Sequence, residues 1–327
     1  MILRRTIDRS VTLPPHADPV VPRGMTTTDP STGVLVIGQI ARDLVLRVED
    51  WPPAGDSARV TVRREMLGGK GANQAVALRQ LGAPVILLGV AGTDAVGETV
   101  LAQARGDGLD LSWVVRRGET ALLVDVTDGK GTRRLLEHVP EQSLLTVQDV
   151  REAAGAADRV DTVCLQLQQP APVLLAGAEL AADRGLRLVL DGAVDGAARD
   201  RLLAAADVVR MDAAETRLMT GIEPADHGAG RRAARHVLDA GAGLVALSVP
   251  DGDLVVWPEG EQLVPHGTEQ VADPTGAGDA FLAGLTIGLR RGEPPEQAAR
   301  RAGAAATSTV RRLGGRPDLR AQRPADG

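Results

Sequence analysis

Two glycine-rich segments in this sequence contain residue types that suit the binding of a phosphate. GGKGANQA at residues 68–75 and DPTGAGDAF at residues 273–281 each open a stretch with helical spacing. The first N–H groups of a helix have no partner within the helix, and glycines let an anion approach them without obstruction by Cβ atoms. The second segment therefore predicts an anion hole formed by Gly276, Ala277 and Gly278.

An acid, Asp279, lies directly beside this predicted anion hole. A carboxylate repels phosphate oxygens, but it can accept a proton from the hydroxyl group that attacks the phosphate. We therefore interpret Asp279 as the general base of a phosphoryl transfer. The alternative is a glycine-rich turn in which the aspartate caps a helix, and the motif alone leaves that alternative open.

The glycine cluster at residues 68–75 suggests a different ligand. Gly69 permits close approach, while Lys70 and Asn73 supply hydrogen-bond donors for the hydroxyl groups of a small polar molecule. The cluster is not a Walker A loop, because the four-residue gap before Gly-Lys-Ser/Thr is missing. Gly38 stands alone in VIGQIARD, where a dinucleotide fingerprint has three glycines, and this argues against a nicotinamide-dependent oxidoreductase.

The composition is that of a globular protein and argues against several classes of partner. The 37 basic and 43 acidic side chains among 327 residues give a net charge of -6, so nucleic acid is not an expected partner. No apolar stretch reaches the roughly 18 residues of a membrane span, and the N-terminus lacks the order of a secretory signal. We therefore expect a cytoplasmic protein with no membrane partner. The single Cys164 lies in an apolar run and the histidines lack ligand spacing, so no zinc site is predicted.

Short apolar runs alternate with helical patterns from Val34 onward, which predicts a mostly parallel sheet covered by helices on both faces. Two segments, at about residues 39–65 and 113–137, break this alternation. Their alternating polar and apolar residues predict antiparallel strands outside the main sheet, with DGKG as a hairpin turn in the second segment. These strands form either a lid over a cleft or ordinary edge strands, and periodicity alone favours neither.

The two ends of the chain lack these patterns. Residues 1–33 have scattered prolines and no lasting period, so we expect a poorly ordered extension, in which Met25 is an alternative start of the protein. Residues 34–317 are predicted to form one folded domain, and residues 318–327 a flexible tail.

The two glycine motifs, in this order and at this distance, resemble those of the ribokinase-like, or PfkB-type, carbohydrate kinases. GGKGANQAVALRQLGA resembles the first signature of that family and is most similar to its ribokinase branch, and DPTGAGDAF resembles the second. Between them, DVVRMDAAETRLMTG resembles the segment with the family's Asn-x-x-Glu motif. The resemblance implies a three-layer α/β/α fold with a mostly parallel central sheet and a small β-sheet lid. It also implies ATP-dependent phosphorylation of a sugar hydroxyl with Mg²⁺, often a monovalent cation such as K⁺, and a homodimer formed through the lid.

The resemblance implies a role for each residue that matches a family motif. The base is Asp279, and the anion hole is formed by Gly276, Ala277 and Gly278. The positions that contact the sugar are Asp43, Gly69, Lys70, Asn73 and Gln168. The positions that bind the nucleotide are Asp212, Ser248, Gly252 and Gly278. The residues that organise Mg²⁺ through water are Glu215 and Asp212, and the loop for the monovalent cation begins at Asp273 and Thr275.

Several residues depart from the family pattern and leave the substrate open. Asp212 stands where the family has Asn, and Ala41 and Gln168 replace an Asn and a Glu near the sugar. Pro250 interrupts the glycine pattern of the nucleotide loop. A nucleoside kinase therefore stays an alternative, as does a sugar-phosphate kinase in which the lid pair Arg133-Arg134 meets the phosphate. A third alternative is a non-catalytic sensor of sugars or nucleotides.

Overall fold

The structure is a computed structural model, and it describes residues 29, 31–267, 271, 273–311 and 313–322. Most of the predicted extension 1–33, with Met25, and the end of the predicted tail 318–327 lie outside the described residues. These two expectations therefore stay predictions. No helix in the described part of the chain is both long enough and apolar enough to cross a membrane.

The elements alternate along the chain as the apolar runs indicate. The strands are β1 (Gly33–Ile37), β2 (Ala41–Val48), β3 (Val60–Gly68), β4 (Val85–Leu88), β5 (Val90–Ala91), β6 (Val115–Arg116), β7 (Ala121–Thr127), β8 (Arg133–His138), β9 (Val160–Gln166), β10 (Arg187–Asp191), β11 (Val208–Met211), β12 (Leu244–Val249), β13 (Gly252–Trp257) and β14 (Gly260–Pro265). The α-helices are α1 (Lys70–Gln80), α2 (Ala95–Gly106), α3 (Val147–Glu152), α4 (Ala171–Asp183), α5 (Gly196–Ala205), α6 (Ala213–Thr220), α7 (His227–Asp239), α8 (Ala277–Arg290) and α9 (Pro295–Thr309).

The central sheet has the strand order β14-β13-β12-β11-β10-β9-β1-β4. Neighbouring strands are parallel from β12 to β4, and β13 and β14 extend one edge in antiparallel pairing. Successive residues of β1, such as Leu35 and Val36, are fully buried although they face opposite sides of the sheet. Burial of both faces is typical of a parallel sheet between two layers of helices.

Two hydrophobic clusters lie on opposite faces of this sheet. One joins the sheet to α1, α2, α8 and α9 through side chains such as Leu78, Leu101 and Phe281. The other joins it to the helices from α3 to α7 through side chains such as Leu174 and Met219. The three-layer α/β/α architecture is therefore confirmed.

A separate four-stranded sheet, which we call the lid, has the order β3-β2-β7-β8. The predicted strands are present, and the DGKG turn joins β7 to β8. The prediction of an antiparallel sheet is wrong at its centre, because β2 and β7 pair in parallel. They are neighbours although they come from different hairpins, so their direction follows from how the two hairpins dock. Val115–Arg116 does not join the lid and pairs instead with β5.

Candidate active site

A cavity of about 440 Å³ lies between the lid and the carboxyl ends of the parallel strands. This edge is the usual place for a ligand in an open α/β sheet. The structure brings together most of the residues singled out in the sequence, although they are far apart along the chain. Those that line the cavity are Asp43, Gly69, Lys70, Asn73, Gln168, Asp212, Glu215, Thr275, Gly276, Ala277, Gly278 and Asp279.

The start of α8 forms one wall of the cavity. Gly276 precedes the helix with a φ of 76°, and a Cβ there would come within 2.1 Å of the carbonyl oxygen of Gly315. No side chain caps this helix. The Ala277 N–H donates to the Pro274 carbonyl oxygen at 3.3 Å. The other N–H groups of the first turn keep the partial positive charge of an uncapped N-terminus beside the cavity.

Asp279 lies in the first turn of α8 but does not cap it. Its carboxylate accepts hydrogen bonds from the side-chain amides of Asn73 at 3.3 Å and Gln74 at 3.1 Å, both on α1. Burial, followed by the charge of Asp191, raises the pKa of Asp279 to about 7, although Lys70 and Gln74 oppose the rise. A carboxylate with a pKa near neutrality suits general-base catalysis.

Asp43 faces the cavity from the lid strand β2 and is 5% exposed. Burial, followed by the charge of Asp125, raises the pKa of Asp43 to about 7. Its Oδ1 is buried and has no hydrogen-bond partner among the residues that the structure describes. A Cβ on Gly68, on the neighbouring strand β3, would come within 1.9 Å of the Asp43 carboxyl group, so a side chain at that position would displace the carboxyl group. Buried polar atoms usually have a hydrogen-bond partner, so this oxygen is open to a donor from outside the described residues.

A network of charged side chains lies at the base of the cavity. Lys70, the first residue of α1, contacts the Glu215 carboxylate and lies 3.8 Å from Asp191. Burial acts to lower the pKa of Lys70, but Asp191 and Glu215 outweigh it and raise the pKa above its ordinary value, so Lys70 stays charged. Asp212 and Glu215 form a capping box at the start of α6, with bonds of 2.8 and 2.7 Å between each side chain and the other residue's backbone.

These two acids fit a hydrated metal ion better than a directly bound one. Both Glu215 carboxylate oxygens already accept hydrogen bonds, and one Asp212 oxygen does. In the described part of the chain, no three His, Cys, Asp or Glu side chains form a cluster that could hold a metal ion. Mg²⁺ keeps several waters and is often held by one or two carboxylates together with substrate phosphates, which fits the arrangement of Asp212 and Glu215.

Three of the predicted site residues do not line this cavity. Ser248 donates a 2.9 Å hydrogen bond to Asp253, which lines a smaller pocket of about 110 Å³ that shares Ala277 with the main cavity. Gly252 begins β13, where a Cβ would come within 2.2 Å of the backbone of β14. The close approach of β13 and β14 is therefore sufficient to explain a glycine at position 252.

Asp273 is the third, and it is fully buried in the loop that precedes α8. Its carboxylate accepts hydrogen bonds from the N–H groups of Thr275 at 2.9 Å and Gly314 at 2.8 Å, so it fixes the loop that precedes α8. Residues 268–270, 272 and 312 around this loop lie outside the described residues. The monovalent cation site at Asp273 and Thr275 therefore stays a prediction.

Sequence reasoning gave no role to several residues of the site. They are Gln39, Gln74, Leu123, Asp125, Leu135, Glu137, Asp191, Arg210 and Pro274. A charged residue inside the apolar run VVRM was the signal that could have identified Arg210. Of the lid pair, Arg133 lines the cavity and contacts Asp125, whereas Arg134 lies 4.4 Å above the ring of Trp51.

Comparison with known proteins agrees with this geometry. A profile of the pfkB family carbohydrate kinases matches residues 31–322, and the chain belongs to this family. The chain is 27% identical over 287 residues to the ribokinase of Haemophilus influenzae, an alignment that covers 87% of this chain and 94% of that protein. The protein is thus an enzyme, a sugar kinase with a ribokinase-like fold.

Solved structures support the same fold. The Arabidopsis thaliana ribokinase complexed with ribose and ATP superimposes with a TM-score of 0.74 at 23% identity, over 88% of this chain and 96% of that one. The phosphofructokinase-2 of Escherichia coli in complex with potassium gives a TM-score of 0.73 at 21% identity, over 88% and 95% of the two chains. The same enzyme in complex with fructose-6-phosphate gives 0.72 at 21% identity, over 86% and 95%.

Proposed function

We propose that this kinase transfers the γ-phosphoryl group of ATP to a hydroxyl group of a free sugar, with Asp279 as the general base. The observation that carries the proposal is the position of the Asp279 carboxylate. It lies at an uncapped helix N-terminus and accepts a hydrogen bond from Asn73 of the other glycine motif, 206 residues away in the sequence. A proton acceptor and an anion-binding backbone therefore meet in one cavity.

The reaction follows from the placement of these groups. The sugar lies between the lid and α1, where the unpartnered Oδ1 of Asp43 accepts a hydrogen bond from a hydroxyl group. Asp279 removes the proton from the hydroxyl group that attacks phosphorus. The backbone N–H groups of Gly276, Ala277 and Gly278 stabilise the charge on the transferred phosphoryl group. Phosphoryl transfer depends mainly on such positioning and charge stabilisation.

The remaining cofactor and nucleotide assignments belong to the same proposal. Asp212 and Glu215 would hold Mg²⁺ through water, and the bound ion would neutralise charge on the ATP phosphates. The pocket of about 110 Å³ beside Ala277, next to Ser248 and Gly252, is the proposed place for the nucleotide base. We place K⁺ in the loop after Asp273, and the reaction in the cytoplasm, where ATP is supplied.

A screen for ADP release tests the proposed function. Pentoses, hexoses, deoxyribose, nucleosides and sugar phosphates are each supplied with Mg²⁺ and ATP, with and without K⁺, and ADP is measured by a coupled assay. We expect a free sugar to give the highest kcat/KM. A sensor would bind a sugar or ATP without releasing ADP with any acceptor, and that outcome would overturn the proposal.

A sugar phosphate is the second candidate substrate, because Arg133 places a cation at the lid side of the cavity. The matched variants are Arg133→Gln and Arg134→Gln, since Arg134 lies over Trp51 and does not line the cavity. If the acceptor is a sugar phosphate, Arg133→Gln raises its KM about tenfold or more while Arg134→Gln leaves KM unchanged. An equal effect of both variants would exclude a phosphate contact at Arg133.

We also propose that two copies pair through the lid. The edge strands of the lid expose apolar side chains, including Val60 and Val62 on β3 and Leu136 on β8, and Leu136 is 57% exposed. Leu136→Glu should produce monomers in light scattering. Leu218→Glu on α6 is the matched control, because Leu218 is 56% exposed but lies outside the lid, and it should leave the mass unchanged. A wild-type monomer would contradict this assembly.

A further inference from the structure

Arg210 is a charged side chain buried at the carboxyl end of β11. It is 8% exposed and lines the cavity. Its partner in the sheet register is Asp191 of β10, so the two side chains lie on the same face. Burial of a guanidinium group is costly unless its charge and its N–H groups find partners, so this position calls for an explanation.

The guanidinium group lies directly against the anion hole. A Cβ added to Gly278 would come within 2.4 to 2.5 Å of the two terminal nitrogens and the central carbon of Arg210. Gly278 is the middle of the first helical turn whose N–H groups face the cavity. The absence of a side chain at this position therefore lets the guanidinium group pack directly against the start of α8.

The protein contacts of Arg210 leave part of its donor capacity unused. One terminal nitrogen lies 3.3 Å from the Asp191 carboxylate and 3.9 Å from the Glu215 carboxylate. The Nε atom is buried without a hydrogen-bond partner among the described residues. A guanidinium group has five N–H donors in a fixed fork that matches the oxygens of a phosphoryl group.

The charges around the cavity require a cation at this place. Its lining contains six acidic side chains and three basic ones, Lys70, Arg133 and Arg210. Lys70 contacts Glu215, and Arg133 contacts Asp125 on the lid. Within the described lining, Arg210 is the cation whose charged group lies against Gly278. A phosphoryl group that enters this acidic surrounding gains most from that contact.

We propose that Arg210 is a catalytic residue whose guanidinium group binds the phosphoryl group in transit. The inference rests on the proposed phosphoryl transfer and adds a residue to it. As the bond from phosphorus to the sugar oxygen forms, the bond to the ADP oxygen breaks and the hydroxyl proton passes to Asp279. Arg210 keeps its proton throughout and donates hydrogen bonds to the non-bridging oxygens. Asp191 holds the guanidinium group in place.

The test compares Arg210→Gln and Arg210→Lys with a buried arginine elsewhere. Arg290→Gln is the matched control, because Arg290 is 5% exposed and pairs with Asp161 away from the cavity. We expect Arg210→Gln to lower kcat by about 10²- to 10³-fold, Arg210→Lys to lose less, and Arg290→Gln to stay within about threefold of wild type.

A second readout separates a phosphoryl contact from a positioning effect. The affinity for ADP with aluminium fluoride, which mimics the phosphoryl group in transit, should fall in Arg210→Gln by about the same factor as kcat, while the affinity for ADP alone stays within about threefold. Equal loss of both affinities, or a kcat of Arg210→Gln within about threefold of wild type, would overturn this inference. If wild type itself releases no ADP with any acceptor, the proposed function fails instead. Arg210→Lys keeps the test decisive should Arg210→Gln not fold.

Discussion

The buried acid of the lid, Asp43, should make the enzyme less stable as the pH rises, and Asp43→Asn should remove part of that dependence. Asn has nearly the same shape, so the close contact with Gly68 is kept. The substitution removes a carboxylate whose charged form is disfavoured by burial and by Asp125. We expect the variant to gain stability relative to wild type at alkaline pH.

The size and sign of this effect follow from the pKa of Asp43, which burial and the charge of Asp125 raise from 3.8 in the free group to about 7 in the folded protein. Between these two values the folded protein binds a proton that the unfolded chain has released, so the free energy of unfolding falls as the pH rises. Each pH unit corresponds to about 1.4 kcal/mol, so the whole interval corresponds to at most about 4 kcal/mol. The stabilising contribution is complete below pH 3.8 and is lost as the pH passes 7.

Urea unfolding followed by circular dichroism at several pH values between 4 and 8 measures this difference. The advantage of Asp43→Asn over wild type should grow with pH by about 2 to 4 kcal/mol. Asp149→Asn is a control with the opposite pH dependence. Burial acts to raise the pKa of Asp149, but hydrogen bonds from Arg117 and Thr146 outweigh it and lower the pKa. At neutral pH the Asp149→Asn variant should be less stable than wild type, and the difference should shrink as the pH falls and Asp149 of the wild type is protonated. Parallel pH profiles of Asp43→Asn and wild type would refute the reasoning.

Three further predictions concern activity. Gly278→Ala should lower kcat by about 10²-fold or more, because the added Cβ meets the Arg210 guanidinium group. The control is Gly106→Ala, whose Cβ meets nothing within 4 Å, and it should keep full activity while its free energy of unfolding rises by up to about 1 kcal/mol. Equal kcat values for the two variants would contradict the prediction for Gly278. Thr275→Val removes the 2.9 Å hydrogen bond to Asp125 that ties the lid to the body and should raise the sugar KM several-fold, whereas Thr61→Val, which loses a bond within the lid, should not. The kcat/KM of wild type should fall to half near pH 7 as Asp279 is protonated, and a profile that stays flat down to pH 5 would contradict its role.

Local patterns predicted much of the fold. Residues 295–309 have helical spacing after Pro294, and α9 spans Pro295–Thr309. The two glycine motifs predicted that α1 and α8 begin at ligand-binding segments. This prediction was possible because glycines that leave the first N–H groups of a helix accessible can be recognised in the sequence. The strand β14 escaped prediction because GEQLVP has no regular alternation, and its pairing depends on the preceding hairpin.

The missed residues share a different physical origin. Arg210 and Asp191 meet because β10 and β11 are in register, and Asp125 reaches Thr275 because the lid docks above α8. Such contacts are set by strand register and by the packing of elements distant in sequence. A polar residue in an apolar strand indicates that a partner exists, but it does not identify the partner.

The activity and nucleotide affinity of Asp279→Asn test the central claim most directly. The substitution keeps the shape of the side chain and removes its ability to accept a proton. We predict that kcat falls by about 10²- to 10⁴-fold while the Kd for ADP stays within about threefold of wild type. A variant that keeps more than about a tenth of the wild-type kcat would contradict the assignment of Asp279 as the base.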